Sequence, residues 1–407
     1  MVLDSLDILT SADRALPYFQ PIYSADGQIV IGYEILGRIE YNDKIISMGP
    51  FFMDESVPEE YKIEMDDLIL AKALDLAVSE NDSFLLFINR DANLLMMDQG
   101  ESFLGLLKEY EERGLALDRI VLEITEHNFK GDFGRLQHML TYFRTYGIKL
   151  AIENAGQESS NLDRIGKLSP DILKIGLQPL VTTSPDEAYH HVLQSIALLA
   201  RKIGAAVLYE DIEVNFQLQY AWKTGGRFFQ GYYLSHPEGH FIEKTLHKDK
   251  LAGEFRQFIQ REKNKLEKFH QLSQSFSERV QESLAKFKKI GSDYDALIRE
   301  LSLDLTDCSF RIYICNEEGF QQTENIFKSG ETWVSQPEYK LKNWSWRPYF
   351  LETIFRMRRN NRGYFSDLYR DIETGESIRT FSYPIGEGLY LFIDLPYAYL
   401  YDQDGML

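Results

Sequence analysis

From about residue 15 to residue 237, eight short apolar runs alternate with segments of helical period, and this alternation restricts the fold more than any other feature. The runs are "YFQPIYS", "IVIGYEIL", "FLLFINR", "IVLEIT", "KLAIEN", "ILKIG", "AVLYED" and "FFQGYYL". Amphipathic patterns such as "MDDLILAKALDLAVS", "FLGLLKEYEERG" and "DEAYHHVLQSIALLARKIG" fall between the later ones. Strands that alternate with helices build βαβ units with parallel pairing. Eight such strands in a stretch of this length match a closed (β/α)8, TIM-like barrel. One junction departs from the pattern. "FQPIYS" and "IVIGYEIL" are separated only by "ADGQ", too short for a parallel crossover. A Gly-containing link of that length closes a hairpin, so the first strand is predicted to run antiparallel.

Functional groups of a β/α barrel collect at the C-terminal ends of its strands. The polar residues late in the runs are Glu34, Asn89, Glu123, Glu153 with Asn154, Lys174, Glu210 and Gln230, from seven strands. Any one alone reads as a surface or capping side chain; seven at one rim read as a site. Carboxylate and Asn carbonyl oxygens suit hard divalent cations. With no His in the set, the expected ion is Mg²⁺ or Mn²⁺, or else Ca²⁺, rather than zinc. Glu34, Asn89, Glu123 and Glu153 offer such oxygens from four strands. Lys174, from the next strand, is placed to orient or deprotonate a water, or to neutralise a phosphate.

Composition bounds the partners. The 63 acidic and 44 basic residues leave a net charge of −19. That balance disfavours DNA and sequence-independent nucleic-acid binding, which rest on basic surfaces. An anionic ligand therefore needs local cations, from metal ions or from placed Lys and Arg. No window approaches the roughly 18–20 apolar residues that span a bilayer. The N-terminal "MVLDSLDILTSADRALPYF" carries acids where an export signal needs bases. A cytoplasmic protein without membrane insertion is expected. Cys308 and Cys315 are spaced to face opposite sides of a single strand, so reduced, unpaired thiols are expected.

Beyond the barrel the chain changes character. From Lys248 to Ile290 there is no proline, and Phe255, Phe258, Leu266, Phe269, Leu272, Phe276, Val280, Leu284 and Phe287 recur at spacings of mostly three and four. This predicts one long amphipathic helix, its stripe packed on its own domains, with a dimer seam as the alternative. The remainder reads as a smaller α/β segment. Its antiparallel strands are "FRIYICNEEGF", "SIRTFSYPI" and "LYLFIDL", with a helix at "RPYFLETIFRMRRN". The predicted organisation is thus 1–247 barrel, 248–292 linker helix and 293–407 second domain.

The motifs "FQPIY", "GYEILGR", "FIN", "LEITE", "LKI", "YEDIE" and "FFQGYYL", in this order, resemble the EAL family over roughly residues 15–240. The resemblance implies a (β/α)8 barrel with an antiparallel first strand that binds cyclic di-GMP; many members hydrolyse one phosphodiester bond to give the linear dinucleotide. It implies that Glu34, Asn89, Glu123 and Glu153 hold a metal ion. Glu34, Lys174 and Glu210 match catalytic positions. Gln20, Glu34, Leu36, Arg38, Asn154 and Gln230 match nucleotide-contacting ones, and Glu126 resembles a glutamate that anchors a loop. Where active members carry Asp-Asp-Phe-Gly-Thr-Gly-Tyr-Ser, this chain has Glu153 through Ser160, so the second Asp is Asn154. A further Asp, in Lys-Ile-Asp, is Gly176 here. Two carboxylates of the second metal are absent.

Two readings follow. One is a receptor with weak or absent turnover. The other is a working metal-dependent phosphodiesterase in which Glu153, Asn154, Glu158 and water rebuild the second site. A scaffold that no longer binds nucleotide has no need of the surviving rim residues. About residues 295–400 resemble a PAS- or Cache-type sensor module, with Trp344, Trp346, Arg347, Tyr349 and Tyr383 as pocket candidates for an unidentified small ligand; packing of a small core is the equal alternative. A sensor on a long helix implies a homodimer by analogy.

Overall fold

The structure is a computed structural model that describes residues 5–80, 83–125, 128–155, 161–181, 187–287, 291, 293–347 and 350–402. Two compact units, Met1–Phe258 and Ile259–Leu407, are taken in turn.

In the first unit the strands are β1 (Ala15–Ser24), β2 (Val30–Tyr41), β3 (Lys44–Ser47), β4 (Leu85–Asn89), β5 (Ile120–Ile124), β6 (Lys149–Ile152), β7 (Ile172–Gly176), β8 (Ala206–Glu210) and β9 (Phe228–Phe229). Their order is β1-β9-β8-β7-β6-β5-β4-β2, and pairing of β1 with β2 closes an eight-strand barrel. As the short "ADGQ" link requires, β1 is antiparallel to both neighbours, β2 and β9. The other barrel pairs are parallel. Helices α1 (Glu59–Val78), α2 (Glu101–Glu112), α3 (Phe133–Arg144), α4 (Leu162–Leu168), α5 (Glu187–Ile203) and α6 (Asn215–Lys223) fill the crossovers. Side-chain caps start two of them: Asp132 accepts from the Gly134 and Arg135 N–H groups, and Asn161 from those of Asp163 and Arg164. The flap strand β3, on the extended end of β2, was not expected. Its four residues are mostly exposed, so it carries no apolar alternation to read.

Inside the barrel, Ile22, Phe87, Val121, Ala151, Ile172 and Leu208 form a buried apolar layer. Side chains alternate in and out along a strand. Two residues further on, the next inward positions are Asn89, Glu123, Glu153, Lys174 and Glu210. Because β1 runs the other way, the step from Ile22 leads back to Gln20, the register partner of Glu34. A polar layer thus sits directly on an apolar floor, with each of the same six strands giving one residue to each.

Helix α7 (Lys248–Lys286) contains the boundary between the units. Phe255 and Phe258 belong to the barrel unit's core, while Phe276 and Val280 belong to that of the second unit. Leu266, between them, is 66% exposed.

The second unit holds β10 (Arg311–Asn316), β11 (Asn325–Ser329), β12 (Thr332–Gln336), β13 (Tyr364–Phe365), β14 (Tyr369–Arg370), β15 (Ser377–Gly386) and β16 (Leu389–Pro396), with helices α8 (Tyr294–Asp304) and α9 (Phe350–Asn360). Every strand pairing is antiparallel, in the order β12-β11-β10-β16-β15-β13 with β14 on β15. Period-two alternation divides the core between the sheet faces. Ile312, Ile314, Phe381, Leu391 and Ile393 pack with residues of α7 and α8, and Tyr313, Cys315, Tyr390 and Phe392 pack with Phe350, Ile354 and Met357 of α9. The β11–β12 hairpin was not read from the sequence.

The structure departs from the sequence expectation at the cysteines and at the pocket residues. Cys308 does not share a strand with Cys315: it lies in the turn before β10, because the strand starts only at Arg311. Both thiols are nonetheless free and buried, in the cores of opposite faces. The proposed pocket residues do not line one cavity. Trp344 packs on the α9 side, donates Nε1–H to Gln321 Oε1 at 2.8 Å and lies under the Arg347 guanidinium. Tyr383 packs on the α7–α8 side, and Trp346 is exposed. Tyr349 lies outside the described residues.

Candidate functional site

At the rim, one ammonium sits among four carboxylates. Lys174, fully buried, places Nζ 3.1 Å from Glu34 Oε2, 3.2 Å from Glu153 Oε1 and 3.2 Å from Glu210 Oε2. Glu123 is also fully buried. Its Oε1 is nearest at 2.9 Å, but the directed hydrogen bond goes to Oε2 at 3.0 Å, leaving Oε1 without a hydrogen-bond donor among the described residues. Glu34 is held from two further strands, accepting from Asn89 Nδ2 and Gln230 Nε2, both at 2.7 Å. Gln230 is itself held in place through Gly231. A Cβ there (φ 151°) would lie 2.2 Å from the Ile212 carbonyl oxygen, so glycine is needed for the two backbones to pass.

The charge balance explains the titration behaviour. Burial pushes the Glu123 carboxyl well above the usual carboxylate range, the pull of Lys174 being outweighed with help from Glu34 and Glu153. The Glu210 carboxyl is pushed up to about 7, by burial first, against Lys174, with Glu153 and Glu34 adding repulsion. For Glu34 burial also acts upward, but Lys174, Gln230 and Asn89 together hold it below the usual range. Lys174 rises well above the ordinary lysine range because the four glutamates outweigh the burial that opposes its charge.

Such a set fits a hard divalent cation. Oxygens of Glu34, Glu123 and Glu153 lie within 4.8 Å of one another, and the single lysine leaves the cluster short of positive charge.

The other expected residues divide. Gln20 is in register with Glu34, and Leu36 and Arg38 follow Glu34 on β2 at alternate positions. Arg38 Nη1 donates to the Gly37 carbonyl at 2.9 Å and to Ser47 Oγ at 3.4 Å. Asn154 occupies the left-handed region at φ 54°, which Asn tolerates better than most residues. Gly176, two residues past Lys174, is the register partner of Glu210, so the inward position there carries no side chain. Glu126 and the loop 156–160, with Glu158, lie outside the described residues.

Two rim features escaped the sequence reading. Asp211 follows Glu210 at φ 56°, and its acid was visible in "YED" but not its position at the turn. Gln217, fully buried, accepts from the Glu213 and Val214 N–H groups at 2.7 and 3.1 Å and donates to the Leu177 carbonyl at 2.8 Å. It ties the end of β7 to the loop after β8, and nothing in its helix marks it out.

The chain belongs to the EAL-domain family: the EAL domain profile matches residues 4–237. The profile of an EAL-domain associated signalling protein domain matches residues 241–407. Over 408 residues, covering both chains completely, the sequence is 60% identical to the uncharacterised EAL-domain containing protein YkuI of Bacillus subtilis strain 168. The crystal structure of that Bacillus subtilis protein, in complex with its substrate cyclic di-GMP and calcium, matches with a TM-score of 0.94 at 59% identity over 100% of both chains. The probable cyclic di-GMP phosphodiesterase PdeA of Escherichia coli K12 is 25% identical over 241 residues, which are 57% of this chain and 32% of PdeA.

Proposed function

We propose that this chain binds cyclic di-GMP at the barrel rim together with one divalent cation, and acts as a receptor with weak or absent phosphodiesterase turnover. The observation that carries the reading is the asymmetry of the rim. Four glutamates surround Lys174, while the inward position beside Glu210 is Gly176 and the residue after Glu153 is Asn154. Glu34, Glu123 and Glu153, with Asn89, hold the cation, which is Mg²⁺ or Mn²⁺, or Ca²⁺ as in the Bacillus subtilis relative. When bound, it polarises phosphoryl oxygens and lowers the pKa of water. Gln20, Leu36, Arg38, Asn154 and Gln230 contact the dinucleotide, and Lys174 and Glu210 orient a water. A second cation lacks two carboxylates, and losing one positioned electrostatic stabiliser typically costs roughly 10²–10³ in rate. Glu126 keeps its proposed loop-anchoring role.

The intact Lys174–Glu210 pair, 3.2 Å apart, favours the second reading, an active phosphodiesterase giving the linear dinucleotide. Calorimetric titration with cyclic di-GMP, with and without divalent metal, tests binding; absence of binding under both conditions overturns both readings. Chromatographic assay for the linear product with excess Mg²⁺ or Mn²⁺ separates them, since turnover at several per second refutes the receptor.

Residues 293–407 form a PAS- or Cache-like regulatory domain in this proposal, joined through the 248–292 linker, helical over Lys248–Lys286, to the 1–247 barrel in a cytoplasmic homodimer. The one-sheet arrangement with helices on both faces supports it. Among the described residues no helix is long and apolar enough to cross a membrane.

A further inference from the structure

The acidic excess of this chain is reversed in one segment of the second unit. Between Lys340 and Arg370 stand eight basic residues and two acidic ones, in a chain of net charge −19. Among the described residues the same segment exposes four large apolar side chains: Leu341 at 71%, Trp346 at 62%, Leu351 at 63% and Phe355 at 66%. Helix α9 organises part of it. Phe350, Ile354 and Met357 are buried, which fixes the helix's inner face. Leu351 and Phe355, one turn apart, then look outward, and Arg358 and Arg359 continue that stripe on the next turn. Arg362 follows just beyond the helix, also exposed. Three of the bases have an acid beside them: Glu352 pairs with Arg356, Asp295 lies 2.9 Å from Lys340, and Glu317 lies 3.7 Å from Arg358.

We propose that this face of the second unit docks on an anionic lipid surface, as a peripheral contact and not an insertion. Protruding Trp, Phe and Leu side chains beside arginines make up the composition that seats a helix in the headgroup region. Arginine suits lipid phosphate because its planar fork binds two oxygens and is weakly hydrated. Charge complementarity sets the occupant's sign, and the spread of the four apolar side chains sets its kind. They stand singly on a turn, a loop and a helix, and a deformable interface accommodates them. A folded protein partner would need a contiguous, shaped patch. Each arginine near an anionic surface raises the partition roughly fivefold at moderate salt.

The test is flotation of the full chain with vesicles of phosphatidylcholine alone and of phosphatidylcholine with three-tenths phosphatidylglycerol. Binding to the anionic vesicles only, abolished at 1 M salt, is expected. Replacing both Arg358→Glu and Arg359→Glu should weaken it by at least about tenfold, as should Leu351→Ser with Phe355→Ser. The charge-matched pair Arg261→Glu and Lys263→Glu, exposed on α7, should leave it nearly unchanged. All these positions are exposed, so circular dichroism should show folded variants. Failure to float with anionic vesicles overturns the proposal, as does equal loss in the α7 control. A change of oligomeric state in the α9 variants, read by light scattering, overturns it in favour of a subunit interface. Cyclic di-GMP titration of the same variants should be unaltered, so this result stands or falls apart from the nucleotide reading.

Discussion

Glu210 stands opposite Gly176 across the β7–β8 ladder, with its carboxylate 3.2 Å from the Lys174 ammonium. Partners in a parallel ladder point to the same face, so a side chain at position 176 would enter the site beside Glu210. Replacing Gly176→Asp together with Asn154→Asp is therefore expected to raise hydrolysis of cyclic di-GMP, by up to about 10²–10³ if one positioned stabiliser is regained. Asp tolerates the φ of 54° at position 154. Formation of linear dinucleotide with Mn²⁺, followed by chromatography, measures it; a double variant that binds nucleotide but does not cleave it places the defect elsewhere.

Lys174→Met removes the single cation from four carboxylates. Breaking a buried ion pair on one side costs about 3–5 kcal/mol. Thermal melts in chelator should show that loss, and Ca²⁺ should restore more stability in the variant than in the natural sequence. A variant that melts like the parent in chelator would show that the rim tolerates unbalanced charge.

The pH profile has a definite sign. In the metal-free protein the Glu210 carboxyl sits at about 7, above its unfolded value of 4.5. Between those values the folded state binds more protons than the unfolded state, so this group's contribution to stability falls as pH rises from about 4.5 to 7. Glu123, also raised, acts in the same sense. Melting temperatures of the metal-free protein should thus decline toward neutral pH, and Glu210→Gln should flatten the decline. An unchanged slope in that variant counts against the assignment.

In the second unit, Arg311 bridges Asp371 and Asp394, each at 2.9 Å, with all three side chains buried. Arg311→Leu leaves two buried acids without their partner and should cost about 3–5 kcal/mol. Hydrogen exchange of β15 and β16 should accelerate, while cyclic di-GMP titration stays unaltered. Equal protection in parent and variant would argue against a structural ion network.

Much of the barrel was legible because its information is local. The inward step from Phe87 to Asn89, Val121 to Glu123 and Leu208 to Glu210 is a two-residue period, which each strand carries in its own sequence. The antiparallel β1 followed likewise from the length of one link. The flap β3 and the edge strand β12 were missed because short, exposed edge strands lack that period, and β11, buried at its start and open at its end, does not alternate either.

What the amino-acid order determined alone is which residues reach the rim. Closure of the barrel decided the rest. Lys174 meets Glu34 across 140 residues and Gln230 meets Glu34 across 196, distances over which no local pattern specifies register. Only hydrogen-bonded closure sets the stagger that turns seven strand ends into one charge-crowded site. In the second unit, too, the sheet's two faces, and not spacing along the chain, separated Tyr383 from Trp344. Side-chain direction in a folded sheet depends on pairing, and pairing is a property of the whole unit.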